Sequence, residues 1–383
     1  MRLRRDVAGT IRRGHPWIWA DAVDQRSDLP AGSVVDVIDG AGRFVARGLW
    51  DLASPIAVRV WTLDPDEMLD DVLIGRRIEA AADRRLGRFD LALTNAFRLV
   101  HGEADGLPGL VVDRYAGTAV VRFDGEAAAS LRDVVHEAVH RVPGIERVVE
   151  RAGRRTRSDR SIDHGPEPFV ALENGLRFEV DVVRGHKTGL YLDQRDSRAR
   201  VRDIATGRRL LNLFSYTGGF TVAAAAGGCA SSLSVDVAAP ALGAVRRNLE
   251  LNGLSSDGHE VLAGDVIDLL RGGSLRARGW DLVVVDPPSF APNRASLARA
   301  LDVYRKLNAA VLRLVEPGGL VLTCSCSSHV DRRRFLKVLR DAAREAGVRI
   351  ERRAVWGAGP DHPVVRAFPE GDYLEAALLE VTT

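Results

Sequence analysis

Two short stretches carry the residue types best suited to chemistry. Thr323-Cys324-Ser325-Cys326-Ser327 holds two of the three cysteines, and Asp286-Pro287-Pro288-Ser289-Phe290 sets a carboxylate on a stiff loop. A thiolate is a nucleophile, and a carboxyl group can hold or move a proton, so the pair can support covalent catalysis. A Cys-x-Cys pair can also join a zinc site, but the chain has no second pair to complete one. Taken singly, each stretch has a plainer use: a strand cysteine is commonly buried and inert, and an Asp before two prolines commonly caps a turn. Position within the fold separates these uses.

The carboxylate follows Leu282-Val283-Val284-Val285, an apolar run without polar alternation. Such a run suits a strand buried on both faces of a parallel sheet. Pro287 and Pro288 lack an N–H and fix φ, so the strand must stop there. Asp286 is then left at a carboxyl-terminal strand end, the edge where open α/β sheets bind ligands. The thiols follow another apolar strand, GLVLTCSCS, after a Glu316-Pro317-Gly318-Gly319 turn. That strand is expected beside the first, which brings a thiol near Asp286.

From Lys187 onward, strands alternate with helices, the pattern of a doubly wound, mostly parallel sheet. Strand 1 ends near Asn212 and turns through Phe214-Ser215-Tyr216-Thr217-Gly218-Gly219. The turn lacks the G-x-G-x-x-G dinucleotide fingerprint, yet its glycines allow close backbone approach at a helix N-terminus. Asp236 ends strand 2, where it can accept from ribose hydroxyls, and Asp265 follows strand 3, where it can meet an adenine amino group. Four strand ends with polar side chains suit S-adenosylmethionine better than NAD. Its sulfonium and zwitterionic methionine fit a carboxylate-rich pocket that would repel a pyrophosphate. With a methyl donor beside a thiol and a carboxyl group, one reaction becomes concrete. A thiolate adding to C6 of a pyrimidine makes C5 nucleophilic toward the methyl, and the carboxyl group can hold or protonate N3. No residue is singled out as the base that removes the C5 proton.

The chain has 383 residues, 46% hydrophobic and 28% charged, which suits two or three soluble domains. Net charge is only +2, so no global basic field announces nucleic acid. Three sparse cysteines and no apolar leader or membrane-length run give the expectation of a cytoplasmic protein without a membrane partner. Residues 1–70 read as a small β domain with strands in SVVDVIDG, RFVARGLW and IAVRVWT. Ahead of them, Arg12 and Trp17 are candidates to clamp a phosphate and stack a base, or Trp17 and Trp19 simply close a small barrel. Residues 71–182 read as a central α+β module. A helical pattern runs from Asp64 to Leu86, a meander follows through LVHGEADGLPGLVVDRY and TAVVRFDG, and LRDVVHEAV is an amphipathic helix. His136 and His140 stand four apart on it without a third ligand, so no metal is expected. The Arg-rich stretch 147–168 reads as a solvated linker that could touch an RNA backbone. The third domain is 183–383.

Several motifs together resemble one family. KTGLYLDQRDSR, LLNLFSYTGGFTVAAAAGGC, VVVDPPSF, TCSCS and DHPV…FPEGDYL resemble the bacterial 23S ribosomal RNA cytosine-C5 methyltransferases. HPWIWADAV resembles the start of that family's PUA domain, and LVHGEADGLPGLVVDRY its central domain. The resemblance implies a Rossmann-like class I methyltransferase domain behind a small β-barrel PUA domain and a central α+β domain. It also implies S-adenosylmethionine as cofactor and 23S rRNA, or a large-subunit precursor, as partner. The family's Thr-x-Ser-Cys-Ser nucleophile maps to Cys326, with Cys324 on the variable position as second choice, because residues two apart share a strand face. Its DPP aspartate maps to Asp286, its cofactor turn to Phe214, Ser215 and Gly218, and its ribose acid to Asp236. Its DQR tract maps to Asp193, Gln194 and Arg195, flanking the methionine end. Tyr191 and Asn212 complete the expected cofactor set; Arg195, Pro287 and Phe290 join Arg12 and Trp17 as expected substrate contacts. His186 stands where the family usually shows Gln, and Glu375 where Lys is common. Methylation of guanine or uracil, and a non-catalytic ribosome-assembly role, are the alternatives; a homodimer is one option for assembly.

Overall fold

Apolar runs separated by Gly, Pro and Asp give the chain 17 strands among its described residues, which are 1–24, 29–51, 53–151, 167–291 and 293–382 of the computed structural model. The Arg-rich linker expected at 147–168 lies mostly outside the described residues. Two units result. The first comprises 1–172, 180–192 and 360–371; the second comprises 173–179, 193–359 and 372–383.

In the first unit, β1 (Trp17–Trp19), β2 (Val34–Ile38), β3 (Phe44–Trp50) and β4 (Ile56–Thr62) form an antiparallel sheet in the order β1-β4-β3-β2. Bridges Arg2–Ile38 and Leu3–Val23 extend it, and α1 (Ala8–Arg12) closes over its core through Ala8 and Ile11. Next comes α2 (Asp71–Leu86), which starts later than its periodicity suggests. Asp70 accepts from the Leu73 N–H at 2.9 Å and fixes the start. Met68 precedes the helix and is exposed. The meander follows as β5 (Ala96–His101), β6 (Leu110–Tyr115) and β7 (Thr118–Phe123). Then α3 (Glu126–Ala129) and α4 (Arg132–His140) cross over to β8 (Arg147–Arg151), which pairs parallel to β7. Ile74 and Ile78 of α2 and Val135 and Val139 of α4 bury against Phe97 and Val121 of this sheet. Segments 180–192 and 360–371 pack here because buried polar groups need partners. Thr188 donates to Asp113 at 2.6 Å and lies 2.9 Å from the Tyr115 hydroxyl, while Asp361 accepts from the Arg98 N–H at 2.9 Å.

A hairpin, β9 (Phe169–Glu173) with β10 (Leu176–Val180), precedes the large sheet. Strands β11 (Arg209–Leu213), β12 (Ser231–Asp236), β13 (His259–Ala263), β14 (Trp280–Val285), β15 (Val315–Ser325), β16 (Ile350–Trp356) and β17 (Glu375–Val381) are ordered β13-β12-β11-β14-β15-β17-β16. The first five run parallel, and β17 inserts antiparallel between β15 and β16. Helices α5 (Arg195–Ile204) and α6 (Gly219–Ala226) pack on the Leu210, Val284 and Leu322 face. Helix α7 (Ala239–Leu251) connects β12 to β13. Helices α8 (Val266–Gly272), α9 (Leu297–Leu312) and α10 (Arg332–Ala346) cover the Leu211, Val283 and Val321 face. With both faces covered there, the central strand β14 is apolar from Leu282 to Val285, as read from LVVV, whereas the outer β13 and β16 carry exposed charged residues. The expected Pro-Gly-Gly turn falls inside β15: pairing jumps from Trp280–Val315 to Leu282–Leu320, so these residues bulge out of the ladder.

Candidate active site

The parallel order reverses between β11 and β14, and ligands of open α/β sheets bind at that switch point. Its loops begin with a tight one. Phe214, Tyr216 and Gly218 have φ of 60°, 47° and 79°. Two side-chain-bearing residues in the left-handed region are strained, a state that clusters at ligand clamps. Glycine is required at 218, because a Cβ would lie 2.8 Å from Val245 Cγ1 of α7. Asn248 of the same helix donates to the Thr217 carbonyl at 3.0 Å and holds the loop from behind.

The acids at the strand ends are anchored by backbone. Asp236 accepts from Tyr216 N–H and Ala238 N–H, one oxygen each, both at 2.8 Å. Asp265 caps α8, its Oδ1 accepting from Ile267 N–H at 2.8 Å and Asp268 N–H at 3.1 Å. Val237, next to Asp236, is 76% exposed. An apolar side chain held in water at a ligand edge offers a face to a flat base, and it escaped the sequence reading because isolated exposed valines are common.

Other polar groups there are buried and lack partners. Among the described residues, Asn212 Oδ1, Ser215 Oγ and Thr323 Oγ1 have no hydrogen-bond partner. The Asn212 amide instead donates to Thr221 Oγ1 of α6 at 3.0 Å. The carboxamide of Gln194, also buried, has no oxygen or nitrogen partner among the described residues and lies against the Cys324 thiol. Asp193 accepts from the Tyr373 hydroxyl at 2.8 Å. Arg195 opens α5 and is buried beside Asp196. Tyr191 belongs to the first unit, where Lys187 Nζ sits 4.4 Å from its ring centroid and its hydroxyl is 3.4 Å from His186 Nδ1. Unsatisfied buried polar atoms are costly, and a ligand bearing an amine, a carboxylate and hydroxyls would satisfy them.

The two cysteines differ sharply. Cys324 lies within β15, fully buried on the face covered by α5 and α6. Burial, then the nearby Asp286 charge, pushes its thiol well above the usual range, so it stays protonated. Cys326 lies one residue past the strand end and is partly buried. Its Sγ donates to the Pro287 carbonyl at 3.6 Å. Asp286 directly follows β14, half-buried, and its charge is felt at both Cys324 and Tyr304. The Ser289 and Ser327 hydroxyls share a hydrogen bond of 2.8 Å. Phe290 packs edge-on against Tyr304, with centroids 4.9 Å apart.

Residues expected to contact substrate from the first unit are engaged within it. Arg12 donates to Asp39 at 3.0 Å and to the Phe44 carbonyl at 3.3 Å. Trp17 Nε1 donates to Glu103 at 2.8 Å, and its ring meets Phe368 at 4.6 Å between centroids. His136 faces Glu150 at 3.4 Å, and the described residues contain no group of three metal-ligating side chains. Nor, among them, is any helix long and apolar enough to cross a membrane. Glu375, at the position where Lys is common in the resembled family, is buried and accepts from Arg332 at 2.8 Å.

Sheet order and polar edge define a Rossmann-like class I methyltransferase domain, and a small antiparallel β module precedes it in the chain. A profile for S-adenosylmethionine-dependent methyltransferases matches residues 153–365, and one for PUA-like domains matches residues 1–63. The chain is 37% identical over 378 residues to ribosomal RNA large subunit methyltransferase I of Yersinia pseudotuberculosis and of Yersinia pestis, covering 96% of this chain and 95% of each relative. In fold it is similar to a candidate SAM-dependent methyltransferase from Streptococcus mutans, at TM-score 0.86 and 22% identity over 100% of this chain and 99% of that one. A candidate methyltransferase crystallised with SAH gives TM-score 0.87 and 23% identity over the same shares. The chain belongs to the S-adenosylmethionine-dependent methyltransferase family, in the group of the ribosomal RNA large subunit methyltransferase I proteins.

Proposed function

We propose that this protein methylates C5 of a cytosine in 23S rRNA, with S-adenosylmethionine as methyl donor and Cys326 as nucleophile. The observation that carries the nucleophile assignment is the meeting of Cys326 Sγ with the Pro287 carbonyl at 3.6 Å, beside Asp286. Cys324 is the weaker choice, being fully buried with a raised thiol pKa.

In this reaction Cys326 gives up its proton and forms a bond to C6 of the flipped-out base. The electron pair of the C5–C6 bond moves to C5, and the Asp286 carboxyl group, at N3, stabilises the adduct. When bound, S-adenosylmethionine supplies an electrophilic methyl at its sulfonium. The C5 proton then leaves to a base, the C5–C6 double bond re-forms, and the Cys326 sulfur departs with the electrons of its bond to C6.

For the cofactor, Ser215 suits the methionine end with its partnerless hydroxyl, and Gln194 with a buried carboxamide whose neighbour is the Cys324 thiol. Asp236 suits the ribose hydroxyls, since its carboxylate keeps lone pairs beyond its two backbone bonds. Val237 and Asp265 border the adenine. The relatives' name supports rRNA as the substrate class; recognition of guanine or uracil would leave a nucleophile at 326 unnecessary or redirect it. Sedimentation of the purified chain decides the homodimer option.

The test uses 23S rRNA transcribed with 5-fluorocytidine, in which C5 cannot lose a proton and the adduct is trapped. The wild-type chain should form a covalent complex dependent on S-adenosylmethionine, and Cys326→Ala should form none while still binding SAH in calorimetry. A Cys326→Ala chain that still methylates cytosine would overturn the assignment.

A further inference from the structure

Loops after β14 and β15 carry Asp286 and Cys326, yet the ladder between these strands ends before either residue. The last β14–β15 pair is Val285 with Thr323, and the last β15–β17 pair is Ser325 with Glu375. Pro287 and Pro288 donate no N–H, so the ladder cannot extend along that loop. A side-chain link crosses the gap: the 2.8 Å hydrogen bond between Ser289 and Ser327. Ser327 is buried at 1% exposure, and the Tyr304 hydroxyl lies 3.3 Å from its Oγ. Tyr304 comes from α9, is fully buried in the sheet's core, and is packed edge-on by Phe290 and Phe335. Cys326 is therefore a single residue between two anchors, Ser325 in the ladder and Ser327 on the hydroxyl chain.

Resting on the assignment of Cys326 as nucleophile, we infer that Ser289, Ser327 and Tyr304 form a positioning clamp that holds the sulfur against the Asp286 loop at the distance attack requires. Ser289 and Ser327 register the two loops against each other. Tyr304 ties that joint to the rigid core, and burial, which pushes its phenol up to about 12, keeps it protonated and able to donate. None of the three needs to touch the base; each acts through Cys326 and Asp286.

The test is the single-turnover rate of adduct formation on 5-fluorocytidine 23S rRNA, measured with SAH affinity and RNA KM. Ser289→Ala and Ser327→Ala should each slow adduct formation roughly tenfold to a hundredfold, the effect of displacing a reacting atom by about an ångström. The double variant should fall within about twofold of the slower single, since one bond is being removed in every case. SAH affinity and RNA KM should hold. Ser289→Thr keeps the hydroxyl at an exposed position and should recover most of the rate. Tyr304→Phe keeps the ring packing and should lose less than either serine variant. Additive losses in the double variant, wild-type rates in Ser289→Ala, or a loss explained by weaker SAH binding would overturn the clamp. Ser289 is exposed, so its variants answer the question even where Ser327→Ala fails to fold. Cys326→Ala runs beside them: adduct from that chain defeats the nucleophile assignment, whereas a dead Cys326→Ala with full-rate serine variants defeats the clamp alone.

Discussion

The two halves of the large sheet's carboxyl edge are built differently. On the β11–β12–β13 half, backbone does the holding: Asp236 and Asp265 each accept two N–H groups, and Gly218 closes a strained turn. On the β14–β15 half, the prolines remove backbone donors, and side-chain hydroxyls join the loops. A backbone-held pocket is formed before its ligand arrives, which suits a cofactor that must bind in every turnover. A side-chain-held pair of loops fixes two side chains from different strands against each other, which suits the proposed pairing of Cys326 with Asp286. Substitutions should therefore separate, with losses of binding on the first half and losses of rate on the second.

The largest effect should come from Cys326→Ala, which removes the proposed nucleophile and should lower methyl incorporation into 23S rRNA by about a thousandfold or more. SAH affinity by calorimetry should stay within about twofold, because the contacts of the first half are untouched. A matching loss of SAH binding would break the division between the halves. Next is Asp236→Asn, which removes a charged acceptor and should weaken SAH binding about tenfold or more. Adduct formation at saturating cofactor should survive it. Gly218→Ala comes third. It forces a Cβ into a left-handed turn against Val245 and should cost roughly 1–3 kcal/mol of stability, read by thermal melting with SAH absent.

The smallest effect concerns the thiols. Iodoacetamide followed by peptide mass spectrometry should label Cys326 first. Burial holds Cys324 well above the ordinary thiol range and pushes Cys229 up to about 11. Deprotonation of both therefore lags as pH rises, and moving from about pH 7 to about pH 9 should leave them largely unlabelled in the folded chain. Rapid labelling of Cys324 would show that the strand end opens further than its ladder implies.

Much of this was legible in the linear chain. The LVVV run, the two prolines after Asp286 and the alternation of strands with helices are local patterns, and burial on both faces leaves one reading for them. The acids at strand ends were legible for the same reason. Less legible were functions that residues serve by facing inward. Trp17 could stack a base or close a small barrel, and only the structure shows its indole donating to Glu103. Arg195 is an expected substrate contact, and only the structure shows that it is buried at the first position of α5. Sequence shows that a side chain can bind; it does not show what already holds it.

Residue types and their local order determined the fold class and set Asp286 and the two cysteines at or near strand ends, because these follow from strand period and proline chemistry. Tertiary structure alone decided which cysteine stands at the edge: 324 and 326 share a parity, and only the end of the β15–β17 ladder at Ser325 sets one inside the sheet and the other beyond it. It alone joined Ser289 to Ser327 across 38 positions of chain, since a hydrogen bond between distant residues depends on how strands stack and leaves no trace in either neighbourhood.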